Sequence, residues 1–220
     1  ESGFVTLDKI LNESDILTLH VPLNIVGEDQ TYHLFNGKNF GKLRNGTWFM
    51  NSSRGEVTET AALNKALNTG KLAGAILDVW ENEPDIDHEL MSAAYIATPH
   101  IAGYSTDGKA NGAAMVVNSL CRYFGLQLHD WYPDNVPEPD SPHITISCSG
   151  KSDFDIIRES VLHTYNIFED DNKLRRSPSD FEKQRGDYRL RREFPSFTVK
   201  LIGGTKNVTN ILRELGFRIK

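Results

Sequence analysis

The chain has 220 residues, of which 39% are hydrophobic and 25% charged, a composition typical of one large globular domain or two small ones. The net charge of −6 argues against nucleic acid as a partner, and no apolar run approaches the ~18 residues of a membrane span. Two cysteines are too few for a disulfide framework, so we expect reduced thiols in a cytoplasmic protein.

The first part of the chain alternates strand and helix signals. The predicted strands are 15–21, 46–51, 72–79 and 94–98. Between them we predict a short helix or turn over 37–43 and a helix with Thr58 as its N-cap that ends at Gly70. Because strands that alternate with helices form parallel sheets with right-handed crossovers, the predicted fold class is α/β, a partial doubly wound, Rossmann-like sheet.

Ligands bind such sheets outside the carboxyl ends of the strands. The sequence places Val21, Ser53, Asp78 and His100 at or just beyond strand ends. We therefore expect the functional site at this edge of the sheet.

A long helix is predicted from about Ser105 to Phe124. Its apolar residues recur at helical spacing, and we expect them to pack in a core: Ala113, Val116, Val117, Leu120 and Phe124. Residues 1–131 are thus predicted to form one domain.

A proline-rich stretch, 132–142, is predicted to be a linker, because its four prolines fit neither a helix nor a central strand. The remaining residues, 143–220, are predicted to form a small α+β domain. Its predicted strands are 143–148 and 196–202, and its predicted helices are 152–165, 179–188 and 208–215.

Three side chains that follow apolar runs suit the oxidation of a 2-hydroxy acid. The planar guanidinium of Arg54 can bind a carboxylate. His100 can move a proton near neutral pH, and Glu83 can hold its imidazole in one tautomer. The seven histidines and two cysteines show no spacing typical of metal ligands, so we expect no metal site.

The segments N-S-S-R-G (51–55), L-D-V-W-E-N-E-P (77–84) and T-P-H-I-A-G-Y (98–104) resemble the NAD-dependent D-2-hydroxyacid dehydrogenases over roughly residues 4–125. The resemblance implies that Arg54 binds the substrate carboxylate and that His100 takes the C2 hydroxyl proton as hydride leaves for NAD. It also implies that Glu83, directly before Pro84, is the partner of the histidine, although Glu81 lies close by.

The resemblance further implies four contacts with the cofactor, from Val21, Ser53, Asp78 and Gly103, and a substrate contact from Tyr104. Two of these residues have an ordinary structural alternative. Asp78 would then cap the turn after its strand, and Tyr104 would be a half-buried aromatic residue at the start of a helix.

No G-x-G-x-x-G motif lies ahead of the first predicted strand, where a dinucleotide fold has its pyrophosphate loop. We therefore expect this chain to be the C-terminal part of a longer enzyme and to be inactive alone. The residue that decides between NAD and NADP would lie before Glu1.

The tail, including L-R-R (174–176) and R-R-E-F (191–194), resembles the branch of the family that oxidises 4-phosphoerythronate with NAD in the synthesis of pyridoxal phosphate. In that branch the extra domain forms a homodimer. Two alternatives stay open: a sister enzyme for 3-phosphoglycerate or glyoxylate/hydroxypyruvate, and a non-catalytic module for dimerisation or dinucleotide binding. The basic cluster Arg189, Arg191 and Arg192 is interpreted as a solvated face or a dimer contact.

Overall fold

The computed structural model describes residues 3–220. They group into two compact units, one of residues 3–102 and 168–187, the other of residues 103–167 and 188–220. The chain changes unit after Ala102, Ile167 and Asp187, and none of these three points lies within the proline-rich stretch 132–142. The domain boundaries expected from the sequence stay a prediction.

The strands are β1 Ile16–Leu19, β2 Thr47–Asn51, β3 Leu72–Leu77, β4 Ile96–Ala97, β5 His143–Ser147, β6 Thr198–Ile202 and β7 Arg218–Ile219. The α-helices are α1 Leu7–Glu13, α2 Gly37–Lys42, α3 Thr60–Asn68, α4 His88–Ala93, α5 Thr106–Phe124, α6 Asp153–Thr164, α7 Ile167–Arg176, α8 Phe181–Gly186 and α9 Lys206–Glu214. Short 3₁₀ turns span Gly55–Val57, Pro178–Asp180 and Phe194–Ser196. Within residues 3–220, none of the helices has the length and apolar character that crossing a membrane requires.

The first unit contains a four-stranded parallel sheet in the order β1-β2-β3-β4. Three phenylalanine rings, Phe35, Phe40 and Phe49, pack with centroids 5.3–5.7 Å apart in its core. The predicted α/β class and the four predicted strands are confirmed. As expected for consecutive parallel strands, all four carboxyl ends lie along one edge of the sheet.

Helix α3 begins one residue later than expected, at Thr60. Thr58 is not its N-cap, because the Thr58 amide closes the preceding turn on Gly55 O at 2.9 Å and its hydroxyl accepts from Asn51 Nδ2 at 3.2 Å. Glu59 occupies the N-cap position without a side-chain capping bond.

The edge strand β4 is covered by a segment from late in the chain. Asp171 on α7 accepts a hydrogen bond from the amide of Ala97 at 2.7 Å. Arg175 donates to Met91 O and Ala94 O at 2.6 and 2.8 Å, and also pairs with Asp171. This segment therefore joins the first unit, because it satisfies polar groups at the open edge of the sheet.

The second unit has a three-stranded sheet in the order β5-β6-β7, and both strand pairings are parallel. One face of the sheet buries Ile144, Ile146 and Val199 together with Val208 and Leu212 of α9. The short β7 was not predicted. A capping box at Ser152 starts α6, in agreement with the predicted N-cap.

Helix α5 spans the predicted range, but the prediction that its apolar residues pack in a core is wrong. Val116, Leu120 and Phe124 are 61%, 50% and 65% exposed. The buried positions of the helix carry small side chains instead: Ala110, Ala114 and Cys121. Helical spacing identifies an apolar stripe, but it does not say what covers that stripe.

The start of α5 is held to a later loop of its own unit. Arg192 donates two hydrogen bonds to Asp107, of 2.9 and 3.0 Å, and the amide of Glu193 donates a third of 2.8 Å. Burial opposes ionisation of Asp107, but these bonds and the charge of Arg192 outweigh it and lower the pKa of the carboxyl. Arg192 thus has a partner within its unit.

Candidate active site

Arg54 follows β2 and is exposed, with its Nη1 donating to Ser53 O at 2.6 Å. The next residue has to be glycine. A Cβ on Gly55 would lie 2.0 Å from the carbonyl carbon of Trp80, far inside van der Waals contact. The loop after β2 therefore touches the backbone of the loop after β3, which brings Arg54 next to the segment that carries Glu83.

Glu83 and His100 form a direct pair. Glu83 Oε2 lies 2.8 Å from His100 Nδ1, and Glu83 Oε1 accepts from the Trp80 amide at 2.9 Å. Both side chains are half-buried. With Nδ1 bonded to the carboxylate, Nε2 is the ring nitrogen left to exchange a proton with a bound molecule.

The histidine loop is organised by Asp78, which directly follows β3. The Asp78 carboxylate is buried and accepts from the Thr98 hydroxyl at 2.6 Å and from the amides of Ile101 and Ala102 at 2.8 and 2.9 Å. The Asp78 carbonyl accepts from the His100 amide at 2.7 Å. His100 has a φ of 56°, a strained value for a non-glycine residue, and these bonds hold it there.

Glu81, the alternative partner for the histidine, is engaged elsewhere. Its Oε1 lies 2.6 Å from His33 Nε2, and its Oε2 accepts from the Thr60 amide at 2.6 Å. Burial opposes ionisation of this carboxyl, but the hydrogen bonds from Thr60 and His33 outweigh it and lower the pKa of Glu81. The two glutamates thus contact different histidines, and Glu83 is the one that contacts His100.

Two other expected site residues lie in the same unit. Ser53 is buried, and both its amide and its hydroxyl donate to Asn51 Oδ1, at 3.0 and 2.9 Å. Val21, just beyond β1, packs partly buried against the core. Ser53 therefore shapes the loop through its hydroxyl, and Val21 offers an apolar surface.

Gly103 and Tyr104 belong to the second unit. Gly103 is exposed, and a Cβ there would meet no atom within 4 Å, so nothing in the described chain requires glycine. The Tyr104 ring packs edge to face with Tyr188 at 5.8 Å, and Lys109 Nζ lies 4.4 Å from its centroid. Their expected contacts with cofactor and substrate stay predictions.

Sequence reasoning missed His33, Thr60 and Gly55. Gly55 could have been found from its place directly after Arg54 in the segment N-S-S-R-G. His33 could not, because it lies 48 residues before its partner Glu81. Among residues 3–220, no group of three or more His, Cys, Asp or Glu side chains could hold a metal ion.

Residues 1–102 match the family model described as D-isomer specific 2-hydroxyacid dehydrogenase, NAD binding domain. Residues 136–216 match a second model, described as Domain of unknown function (DUF3410).

An erythronate-4-phosphate dehydrogenase of Bacteroides thetaiotaomicron is 45% identical over 196 residues, which cover 89% of this chain and 53% of that protein. One of Proteus mirabilis is 38% identical over 220 residues, which cover 99% of this chain and 58% of that protein. A solved glyoxylate reductase of Paecilomyes thermophila is 31% identical, with a TM-score of 0.47 over 53% of this chain and 35% of that one.

The chain thus spans about half the length of the curated relatives it matches. The resemblance inferred from the three motifs and the tail is confirmed, because both the family model and these relatives agree with it. Residues 1–102 are thus similar to the NAD binding domain of the D-isomer specific 2-hydroxyacid dehydrogenases.

Proposed function

We propose that the whole protein oxidises 4-phospho-D-erythronate to 2-oxo-3-hydroxy-4-phosphobutanoate with NAD, a step in the synthesis of pyridoxal phosphate. The observation that carries this proposal is the 2.8 Å contact between Glu83 Oε2 and His100 Nδ1, at the strand ends of a unit that matches a NAD-binding domain. The choice of substrate rests on the relatives, which are erythronate-4-phosphate dehydrogenases.

In this proposal the exposed guanidinium of Arg54 binds the C1 carboxylate of the substrate through paired hydrogen bonds. His100 Nε2 takes the proton of the C2 hydroxyl, and Glu83 holds the ring so that Nε2 faces the substrate. NAD, when bound, supplies the acceptor for the C2 hydride. In the reverse direction His100 returns the proton to the C2 oxygen.

The residues present fit the nicotinamide end of a dinucleotide. Val21 offers an apolar contact, and Ser53 and Asp78 each lie just beyond a strand end, where parallel sheets bind such ligands. The Ser53 hydroxyl and both Asp78 oxygens already form hydrogen bonds within the chain. We therefore propose that NAD contacts the surfaces of the two loops whose conformations these side chains hold, and not their polar atoms. Gly103 contributes an exposed backbone without a side chain.

A panel of substrates tests this function. NAD reduction by the whole protein is measured with 4-phosphoerythronate, 3-phosphoglycerate and D-glycerate, and we expect clear preference for the first. Faster turnover of another acid would leave the proposed role of the Glu83–His100 pair intact, but it would identify the protein as a sister enzyme with a different substrate. No NAD reduction with any acid would favour the non-catalytic module.

The proposed substrate contact of Tyr104 is tested by the KM of the Tyr104→Phe variant. Tyr123→Phe, at an exposed tyrosine, is the control.

We also propose that the whole protein is a homodimer through its C-terminal domain and works in the cytoplasm. Parallel sheets are normally covered on both faces, yet Thr145, Lys200 and Ile202 leave one face of the second sheet exposed. A second copy would cover that face. The two buried cysteines are free thiols, which fits a reducing compartment.

Light scattering over a range of protein concentrations tests the dimer. Ile202→Glu is expected to shift the molar mass toward that of the monomer, because it places a charge on the covered face. Phe154→Glu, at an exposed apolar position on α6, serves as the control and is expected to leave the mass unchanged. A monomeric unmodified protein would contradict the proposal.

A further inference from the structure

The turn that carries Glu83 has a strained backbone. It runs from Trp80 to Glu83, and Asn82 within it has a φ of 61°, in the left-handed region that non-glycine residues rarely adopt. Such a conformation costs of order 1–3 kcal/mol and persists only where the surroundings hold it. The position of the Glu83 carboxylate therefore depends on what anchors the turn.

The turn is anchored at its start by Trp80. The indole Nε1 donates to Thr98 O at 3.0 Å, and the Trp80 backbone lies against Gly55. These contacts fix the residue where the turn begins, two positions before the strained Asn82, whereas Glu81 directly precedes Asn82. A second anchor within the turn is needed to set the direction in which the chain leaves toward Glu83.

Glu81 supplies that second anchor. One oxygen binds the loop after β1, through His33 Nε2 at 2.6 Å, and the other binds the start of α3, through the Thr60 amide at 2.6 Å. His33 is itself held, since its amide donates to Glu56 O at 2.8 Å and its ring stacks on Tyr32 at 4.0 Å. The lowered pKa of Glu81 keeps the carboxylate ionised and able to accept both bonds near neutral pH.

We propose that His33 and Glu81 are a positioning pair that sets the Glu83 carboxylate against His100, by tying the loop after β3 to the loop after β1 and to the start of α3. Neither residue touches the reacting atoms in this account. The inference rests on the proposed function for its kinetic readout, but the distance between Glu83 and His100 tests it independently.

The kinetic test is a double-mutant cycle in the whole protein. Glu81→Ala is expected to lower kcat about 10-fold or more, because small misplacements of a catalytic group cost up to about 10²-fold. In a Glu83→Ala background the same substitution is expected to change kcat less than about twofold, because Glu81 then has no carboxylate left to position. Asp85→Ala, an exposed acid on the same loop, is the control and is expected to leave kcat unchanged.

Rescue separates positioning from general stability. His33→Ala is expected to lower kcat, whereas His33→Gln, which keeps a side-chain N–H donor near the position of Nε2, is expected to restore most of it. Equal losses in the Glu83 and Glu83→Ala backgrounds, or no loss from Glu81→Ala alone, would overturn the inference. A loss of thermal stability without a change in kcat would do the same.

A crystal structure of the Glu81→Ala whole protein gives the readout that does not depend on turnover. We expect the Glu83 carboxylate to move out of hydrogen-bond reach of His100 Nδ1. A separation that stays at the present 2.8 Å would overturn the positioning role, even if the protein oxidised a different substrate or none.

Discussion

Glu83 Oε2 lies 2.8 Å from His100 Nδ1, so a carboxylate from the loop after β3 orients an imidazole from the loop after β4. The two loops are further joined by Asp78, whose carboxylate bonds to the histidine loop. Because these contacts depend on neighbouring parallel strands, the sheet itself sets the geometry of the pair.

Gly55→Ala tests the contact between the Arg54 loop and Trp80. The new Cβ would lie 2.0 Å from a backbone carbonyl that cannot yield like a side chain, so we expect a loss of about 1–3 kcal/mol in the free energy of unfolding. Gly41→Ala is the control, because a Cβ there meets no atom within 4 Å and the residue is helical. That variant is expected to gain about 0.5–1 kcal/mol. Urea unfolding measures both, and equal effects would contradict the account.

Asp78→Asn tests the carboxylate that holds the histidine loop. The amide cannot accept from all three donors at once, and we expect the free energy of unfolding to fall by about 1–3 kcal/mol. Asp85→Asn, on an exposed side chain of the same loop after β3, is expected to change it by less than about 0.5 kcal/mol. Similar urea midpoints for the two variants would show that Asp78 does not anchor the loop.

The Asp107–Arg192 pair predicts a pH dependence of stability. Because the pKa of Asp107 is lowered below its ordinary value of 3.8, the pair stabilises the fold fully above that value, and the contribution disappears as the pH falls through the lowered pKa. Arg192→Ala is therefore expected to reduce the free energy of unfolding by about 1–3 kcal/mol at pH 7. The difference from the unmodified chain should shrink toward pH 3.

Urea unfolding at both pH values checks this prediction. Arg213→Ala, which removes an exposed arginine from α9 of the same unit, is the control. It is expected to have little effect at either pH. If Arg192→Ala lowers the free energy of unfolding equally at both pH values, the ionised Asp107 carboxylate is not the cause of the loss.

Much of the first unit could be predicted from the sequence, because local patterns determine it. Apolar runs identified the four strands, and the parallel arrangement then placed Arg54, Asp78 and His100 at one edge. The choice of Glu83 over Glu81 came from its place before Pro84, and the contact with His100 agrees with it. The catalytic roles of these residues stay predictions.

Long-range pairings were beyond reach of the sequence. Asp171 accepts a hydrogen bond from the amide of Ala97, 74 positions earlier in the chain, and no local sequence pattern predicts such a contact. The same holds for His33 and Glu81. The exposed residues of α5 had the periodicity of a buried face, and periodicity alone cannot distinguish a stripe within a core from one on the surface.

The most direct test of the central claim is the effect of His100→Ala on NAD reduction by the whole protein with 4-phosphoerythronate. Loss of the group that exchanges the C2 proton is expected to lower kcat by ~10² or more, while NAD binding, followed by titration, stays unchanged. A loss of kcat below about threefold, far short of that range, would remove His100 from the mechanism and contradict the account.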